Sequence, residues 1–406
     1  MYQPNRNYTA HDSIRSNITA VAGINFEAEN QYRRVNHKVS KPLTKRTVLG
    51  DITQQASNRQ HRSESNTQKA DNAISIYRDS NDSLRKRIND VLSDDSFQHQ
   101  NNYEVEKITT RLLPVYTEQS KILLDYAFET LFSSVPDPAD EDTYDPVMVS
   151  ELSVDIFHYF QELEVKYSPN PNYIIHQPEL TWSVRATLVN WIVEAHGRFQ
   201  LLPETLFLTI NLMDRFLSKK ISTLNRLQLV GATALFIASK YEEINCPSLD
   251  DLTYVLDDRY TRDEIIQAEK YMINALEFEI GWPGPMSFLR RISKADNYDY
   301  EVRTLAKYFL ETTIMDSKMI SSPTSWLAAG SYYLAKIVAH MDKNWSLKHV
   351  YFSGYTREQL EELVNCILEN CKIGKSNHRA VWNKYSTKPY GCCVQIFEKW
   401  LAISGF

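Results

Sequence analysis

The 406-residue chain has few glycines and lacks the short motifs that cradle phosphates or activate nucleophiles. Its 11 glycines form neither a GxGxxG loop nor a Walker loop, which excludes the common nucleotide-binding loops. The HExxH, GxSxG, HRD and DFG motifs of metalloproteases, hydrolases and protein kinases are missing too. The sequence therefore favours a binding or regulatory protein over an enzyme.

Cysteine is scarce, and long apolar runs are missing. The five cysteines all lie from Cys246 onward, and they form no pair of CxxC motifs at zinc-ribbon spacing. We expect reduced thiols, with neither a metal site nor a cofactor. No apolar run reaches the roughly 18 residues of a membrane span, and the polar N terminus lacks a secretory apolar segment. We expect a cytosolic or nuclear protein without membrane contact.

The first quarter of the chain is poor in the large apolar residues that build a core. All seven tryptophans lie from Trp182 onward, whereas the first hundred residues are rich in Asn, Ser, Gln and Arg. These hundred residues carry 15 Lys and Arg against 11 Asp and Glu, and their cationic clusters are short. Such a mild excess does not favour direct nucleic-acid binding. We predict a disordered regulatory tail over residues 1–140.

From residue 152 onward, apolar residues recur at helical spacing, and strand-like alternation is nearly absent. The breaker Gly-Trp-Pro-Gly-Pro at residues 281–285 divides this region, after which the pattern begins again. Ala232 to Ala238 and Ala329 to Ala335 place small residues six apart on the third long helix of each half, which predicts a closely packed central helix. The second half is predicted to contain helices over residues 286–293, 301–315, 325–340, 356–372 and 392–401.

One predicted helix, over residues 181–199, carries more apolar surface than a single buried face needs. Val184, Leu188 and Trp191 form one stripe, and Val189 begins a second that fills the adjoining arc. One stripe is expected to face the core and the other a partner.

Several longer segments follow one another in the order and spacing of a known family. They read VRATLVNWIVEAH, ETLFLTINLMDRFL, LQLVGATALFIASKYEE and AEKYMINALEFEI, followed by FLRRISKADNYD and SPTSWLAAGSYYLAK. Together they resemble the B-type cyclins of fungi. The resemblance implies an all-α protein of two tandem five-helix cyclin folds, over residues 145–280 and 281–406, with a docking helix near residues 148–165.

The resemblance also implies a non-catalytic subunit that binds and activates a cyclin-dependent Ser/Thr kinase and directs its substrate choice in S phase or G2/M. Lys240 and Glu269 are expected to hold the kinase C-helix, while Tyr241, Ile273 and Phe278 exclude water. The residues alone equally allow a surface salt bridge between Lys240 and Glu269, typically worth about 0 to 1 kcal/mol.

By the same resemblance, substrates or inhibitors with Arg-x-Leu-like motifs are expected to dock on Val184, Leu188, Trp191, Glu194 and Gln228. Glu194 would face the cation, and the apolar residues would face the Leu. Val184 stands where the family usually has Met, and Thr187 where it has Ile, so we expect a shallower and more polar patch. Its peptide preference stays open.

Two further pairs are assigned by the resemblance. Arg185 and Asp214 are expected to form an internal pair that fixes the first helix of the fold against the second. Arg46 and Leu49 in KRTVLGDITQ resemble the destruction box that a ubiquitin ligase recognises at mitotic exit. RxxL occurs five times in the sequence. The other four copies lie in predicted helices, where a protein that binds extended peptide segments cannot recognise them.

Two other classes of protein use related folds. General transcription factors and pocket proteins would call for a zinc ribbon or a strongly basic surface, and a transcription-type cyclin would lack the destruction box. Neither class fits the sequence. We expect residence in the nucleus with a cytoplasmic fraction, and the sequence leaves open which kinase binds and whether S phase or mitosis is served.

Overall fold

The computed structural model describes residues 111–133, 141–145, 149–339 and 344–404, and within these ranges it contains helices and no β-strand. Two helices come first, α1 (Glu118–Leu131) and α2 (Ser153–Lys166). The first bundle consists of α3 (Trp182–Phe199), α4 (Pro203–Lys219), α5 (Leu224–Glu242), α6 (Leu249–Val255) and α7 (Arg262–Ala275). The second bundle consists of α8 (Pro285–Ser293), α9 (Tyr300–Thr313), α10 (Thr324–Val338), α11 (Leu347–Ser353) and α12 (Arg357–Lys372), followed by α13 (Gly374–Asn377), α14 (Arg379–Tyr385) and α15 (Cys393–Ser404). The prediction of two five-helix bundles is confirmed.

Local sequence sets where these helices begin. Thr181 accepts a hydrogen bond from the backbone N–H of Val184 and so caps α3, while Thr261 and Glu264 form a capping box on α7. Proline occupies the first position of α4, where its missing N–H costs no helical bond. These signals fix the residues at which α3, α4 and α7 begin, and so the direction in which their side chains point at the site.

The third helix of each bundle is central, as the small residues predicted. α5 contacts α3, α4 and α7, and α10 contacts α8, α9 and α12. Ala234 and Ala335 are fully buried. A Cβ added at Gly330 would lie 2.8 Å from Cγ of Leu363, so α10 and α12 approach as closely as a glycine permits. Small side chains therefore allow each central helix to be surrounded.

The second bundle differs in detail from the predicted helices. The sequence prediction missed α11, a seven-residue helix that is too short to show helical periodicity. It also took residues 392–401 as the fifth helix, whereas α15 follows α13 and α14 and packs on the outside against α9, α10 and α14. The pattern alone could not separate the bundle from this C-terminal addition.

Part of the predicted disordered tail is folded against the second bundle, so the prediction is wrong for residues 111–131. The backbone N–H of Leu112 donates to the carbonyl of Lys318 at 3.1 Å, and the side-chain amide of Gln359 donates to the carbonyl of Val115 at 3.1 Å. α1 follows and packs on α11, with the Phe128 and Tyr351 ring centroids 6.2 Å apart. The prediction extended the polar composition of the first hundred residues too far. The rest of the predicted tail, apart from residues 132 and 133, lies outside the described residues.

Candidate functional site

A surface ion pair joins α5 to α7. Lys240 Nζ lies 2.6 Å from Glu269 Oε1, and the two side chains are 42% and 13% exposed. The same ammonium lies 3.9 Å from the ring centroid of Phe236, which holds the lysine stem against its own helix. The pair is open to solvent on the lysine side, where a partner's backbone can reach it. The free chain thus contains the surface salt bridge that the sequence allowed.

Apolar side chains follow both members of this pair along the chain: Tyr241 comes directly after Lys240, and its hydroxyl lies 3.0 Å from a Cβ placed at Gly281, just beyond Phe278. Tyr241 is 45% exposed and Phe278 is 71% exposed, whereas Ile273 is half-buried against the core. Glu277 and Phe278 both adopt left-handed backbone conformations, with φ of 58° and 62°. Each such conformation costs a non-glycine residue roughly 1 to 2 kcal/mol. The turn that carries Glu277 and Phe278 is therefore strained, and it leaves the Phe278 ring exposed to solvent.

The predicted docking helix, α2, lies beside the same surface. Burial raises the pKa of Tyr241, with further contributions from Glu242 and from the nearby hydroxyls of Tyr167 and Tyr159. At the end of α2, Lys166 Nζ lies 2.7 Å from Glu279 Oε1, and a Cβ at the nearby Gly281 would lie 3.0 Å from the Tyr241 hydroxyl, so α2 and the C-terminal end of α5 share one neighbourhood. Val165, also on α2, is exposed. α2, α5 and α7 together present apolar side chains around the ion pair, and we call this surface the α2–α5–α7 face.

A buried carboxylate fixes α2 to the second bundle. Glu164 Oε2 accepts from the backbone N–H of Ser325 at 2.8 Å and from Thr324 Oγ1 at 2.9 Å, and Oε1 accepts from Ser325 Oγ at 2.6 Å. The carboxylate thereby caps the N terminus of α10, where the helix dipole favours a negative charge. Burial raises the pKa of Glu164, although these hydrogen bonds oppose the shift. At the other end of α2, Arg291 donates to the carbonyl of Ser153 at 3.2 Å.

Two neighbouring carboxyl groups at the end of α5 have different environments. Glu243 accepts from the backbone N–H of Leu202 at 2.7 Å and from Thr205 Oγ1 at 2.6 Å, so its charge is held at the start of α4. Burial, together with the charges of Glu204 and Glu243, raises the pKa of Glu242 to about 7. The half-buried carboxyl of Glu242, next to Tyr241, is therefore only partly ionised at neutral pH.

Replacing Glu242 with Gln is expected to stabilise the chain, and more at pH 8 than at pH 5. The folded pKa of about 7 exceeds the ordinary value of 4.5, so the native state binds the proton more tightly. Wild-type stability consequently falls as the pH rises through this interval, and Gln, which cannot ionise, avoids a loss on the order of 2 kcal/mol. Urea unfolding at both pH values measures the difference. An equal gain at pH 5 and pH 8 would contradict the assignment.

The structure brings the docking-patch residues together on α3 and α5. Leu188 is only 6% exposed, and its Cδ1 would lie 3.0 Å from a Cβ at Gly231, so it forms the floor of the patch. Val184, Trp191 and Gln228 are half-buried, and Glu194 is exposed. Thr187 Oγ1 bonds back to the carbonyl of Ser183 at 3.0 Å. A hydroxyl thus lies beside the apolar residues of the patch, and the expectation of a shallower and more polar patch stays a prediction.

Arg185 and Asp214 form a buried bidentate pair between α3 and α4. Arg185 Nε lies 2.8 Å from Asp214 Oδ1, and Nη2 lies 2.7 Å from Oδ2, with both side chains 3% exposed. Tyr173 Oη donates to the same carboxylate at 2.8 Å. The remaining arginine nitrogen, Nη1, donates to the carbonyl of Ile314 at 2.9 Å, in the second bundle. The predicted internal pair is present, and it also joins the two bundles.

Other predicted features lie elsewhere. Arg46 and Leu49, like all of residues 1–110, lie outside the described residues. Among the residues that the structure describes, no helix is long and apolar enough to cross a membrane, and no group of three or more His, Cys, Asp or Glu side chains is placed to hold a metal ion.

The sequence prediction missed two residues that shape the site. Glu164 lies four residues after Phe160, on the apolar face of α2, but its charge argued for exposure to solvent, and its partners are about 160 positions away in sequence. Arg259 lies in the loop between α6 and α7 and donates to Gln228 of the docking patch at 3.0 Å. No local signal in the sequence connects either residue with its partner.

Comparison with known families decides the assignment. Residues 155–281 match the description "Cyclin, N-terminal domain", and residues 283–399 match "Cyclin, C-terminal domain". The chain belongs to the cyclin family. Proteins of this family are regulatory subunits of kinases, and the resemblance to fungal cyclins is confirmed.

Several curated fungal cyclins are similar to this chain. It is 55% identical to G2/mitotic-specific cyclin-4 of Saccharomyces cerevisiae, over 79% of this chain and 71% of that protein. It is 52% identical to G2/mitotic-specific cyclin-3 of the same yeast, over 72% of this chain and 68% of that protein. A solved viral cyclin from herpesvirus saimiri matches with a TM-score of 0.48 and 20% identity, over 54% of this chain and 96% of that one.

Proposed function

We propose that this cyclin binds and activates a cyclin-dependent Ser/Thr kinase through the α2–α5–α7 face, and has no catalytic activity of its own. The observation that carries the proposal is the exposed ion pair of Lys240 and Glu269, adjoined by Tyr241 and Phe278. Lys240 can donate to the free carbonyls at one end of a docked helix, and Glu269 can accept from free N–H groups. The exposed rings then exclude water from these polar contacts.

Opening the pair for a partner costs little. An exposed salt bridge typically contributes about 0 to 1 kcal/mol. Breaking it so that both charges can contact the kinase therefore needs little free energy. The surrounding surface is pre-formed, because Glu164 and Arg291 fix α2 at both ends. A rigid surface that binds the active kinase conformation more tightly than the inactive one shifts the kinase population toward activity.

Copurification and a kinase assay test this proposal. The full chain is purified from synchronised cells, the bound kinase is identified by mass spectrometry, and its activity is measured. We expect Phe278→Ala to weaken both association and activity. The matched control is Tyr300→Ala, since Tyr300 is 72% exposed against 71% for Phe278 but lies on the second bundle. Equal effects of the two variants, or no associated kinase, would contradict the proposal.

We further propose that the patch on α3 and α5 docks short peptide segments of substrates or inhibitors, and so directs the choice of substrate. The half-buried Trp191 and Val184, over the floor formed by Leu188, support this role. Activity in S phase or G2/M, and residence in the nucleus with a cytoplasmic fraction, belong to the same proposal. The names of the fungal relatives favour the later window.

We also propose that a ubiquitin ligase recognises Arg46 and Leu49 and thereby directs the degradation of the protein at mitotic exit. Replacing both residues with Ala is expected to prolong the half-life several-fold in cells leaving mitosis, because the cation and the aliphatic side chain occupy separate pockets of the reader. A translation shut-off chase measures the half-life. Arg62→Ala, which removes a cation outside the motif, is the control. Unchanged turnover of the double variant would defeat the assignment.

A further inference from the structure

A non-helical segment before α1, residues 111–117, lies against the second bundle beside the N terminus of α10, and we call it the strap. The bundle binds the strap through the backbone of Leu112. Its N–H donates to the carbonyl of Lys318 at 3.1 Å, and its carbonyl accepts from Ser322 Oγ at 2.6 Å. The Leu112 side chain is half-buried against the core. The strap therefore holds the turn that directly precedes α10.

Two further contacts tie the strap to α10. The Arg111 guanidinium donates to the carbonyl of Ser321, in the same turn. The side chain of Gln359, at the start of α12, donates to the carbonyl of Val115 at 3.1 Å, and the backbone carbonyl of Gln359 accepts from Trp326 Nε1 at 2.9 Å. Trp326 lies in the first turn of α10 and is fully buried. The strap thus reaches the N terminus of α10 both through the preceding turn and through α12.

The same end of α10 holds α2. The Glu164 carboxylate accepts from Thr324 Oγ1, from the backbone N–H of Ser325 and from Ser325 Oγ, and these are the first two residues of α10. Just beyond α2, Ser168 Oγ makes a longer hydrogen bond, of 3.4 Å, to the carbonyl of Ser321 that Arg111 also contacts. The strap and α2 therefore share one support.

We propose that the strap positions α2 for the kinase, with Leu112 as a positioning residue for kinase activation. The proposal rests on the kinase-binding function proposed above. Glu164 holds α2 where the N terminus of α10 offers three donors, so the position of that terminus sets the position of α2. If only a fraction of the molecules hold α2 in the binding orientation, the apparent dissociation constant rises by the inverse of that fraction. Loss of the strap should therefore weaken kinase binding without changing the activity of the complex once it has formed.

A pair of neighbouring variants of the full chain tests this role. Leu112→Asp places a charge under the strap, where it opposes burial, whereas Leu113→Asp places the same charge on a side chain that is 39% exposed. Titration of the copurifying kinase with each variant gives the half-activating concentration and the maximal activity. We expect Leu112→Asp to raise the half-activating concentration about tenfold at unchanged maximal activity, as when about one molecule in ten holds α2 correctly. Leu113→Asp should match the wild type.

Amide hydrogen exchange of the free chain distinguishes positioning from a general loss of stability. In Leu112→Asp we expect the amide of residue 112 to exchange freely and the amides of α2 to exchange about tenfold faster than in the wild type, while those of α5 and α7 keep their rates. A merely structural strap would lower the unfolding temperature and leave both the α2 exchange and the half-activating concentration unchanged. Leu112→Ala takes the place of Leu112→Asp if the charged variant does not fold.

The outcomes separate the two proposals. A released amide at residue 112 with wild-type α2 exchange and a wild-type half-activating concentration would overturn the role of the strap. Equal shifts in Leu112→Asp and Leu113→Asp would overturn it as well, because the buried contacts of Leu112 would not be their cause. If no kinase associates with the wild type, the kinase-binding function itself is wrong, and the exchange rates of α2 then show by themselves whether the strap orders this helix.

Discussion

Replacing Asp214 with Asn is expected to destabilise the chain by about 3 to 5 kcal/mol, because it leaves the charge of Arg185 buried without a counter-ion. Both side chains are 3% exposed, so bulk solvent cannot solvate the remaining guanidinium as it would at the surface. The Tyr173 hydroxyl loses its charged acceptor as well. A buried pair contributes little net stability as a whole, but the removal of one partner exposes the full desolvation cost of the other.

Urea unfolding monitored by circular dichroism measures this loss. The control is Glu277→Gln, which breaks an ion pair of similar N–O distance in solvent. Lys219 Nζ lies 2.8 Å from Glu277 Oε1, but the side chains are 41% and 72% exposed. Such an exposed pair is expected to contribute little to stability. A small effect of Asp214→Asn, comparable with the control, would show that Arg185 and Asp214 do not hold the fold together.

The central parts of the fold could be predicted from sequence because they depend on periodicity and residue size. α3, α4, α5 and α7 carry long apolar patterns with clear caps or breakers, and the alanines of α5 and α10 allow close approach. The short α11 carries too few residues to show a period. The contacts of Leu112 with the second bundle join positions about 200 residues apart, and no local pattern encodes them.

The residues of the candidate site also divide into those that the local sequence predicts and those that it does not. Family motifs pointed to Lys240, Glu269 and the docking patch, because these residues lie within continuous helical segments of the sequence. Glu164 and Arg259 were missed because their roles arise only when separate elements meet. A buried carboxylate on a helix such as α2 contradicts the expectation that charge faces solvent, and it is tolerated because three donors and the α10 dipole offset part of its desolvation.

The largest functional effect is expected at the ion pair of the α2–α5–α7 face. Lys240→Glu places a second carboxylate beside Glu269 and removes the donor proposed for the kinase carbonyls. We expect kinase binding to weaken by about 2 to 4 kcal/mol, roughly 30- to 1,000-fold, as for a charged residue at the centre of an interface. Kinase activation should fall with it. Because the pair lies at the surface, the circular dichroism spectrum should stay unchanged.

A charge swap distinguishes the kinase contact from a merely structural pair. Lys240→Glu combined with Glu269→Lys restores opposite charges across α5 and α7, so any role in joining these helices is recovered. The contacts proposed for the kinase helix are not recovered, since donor and acceptor have exchanged places. We therefore expect the swapped variant to match the wild type in thermal unfolding and yet to bind and activate the kinase as poorly as Lys240→Glu. Recovery of kinase binding in the swap would mean that the two residues act only on each other.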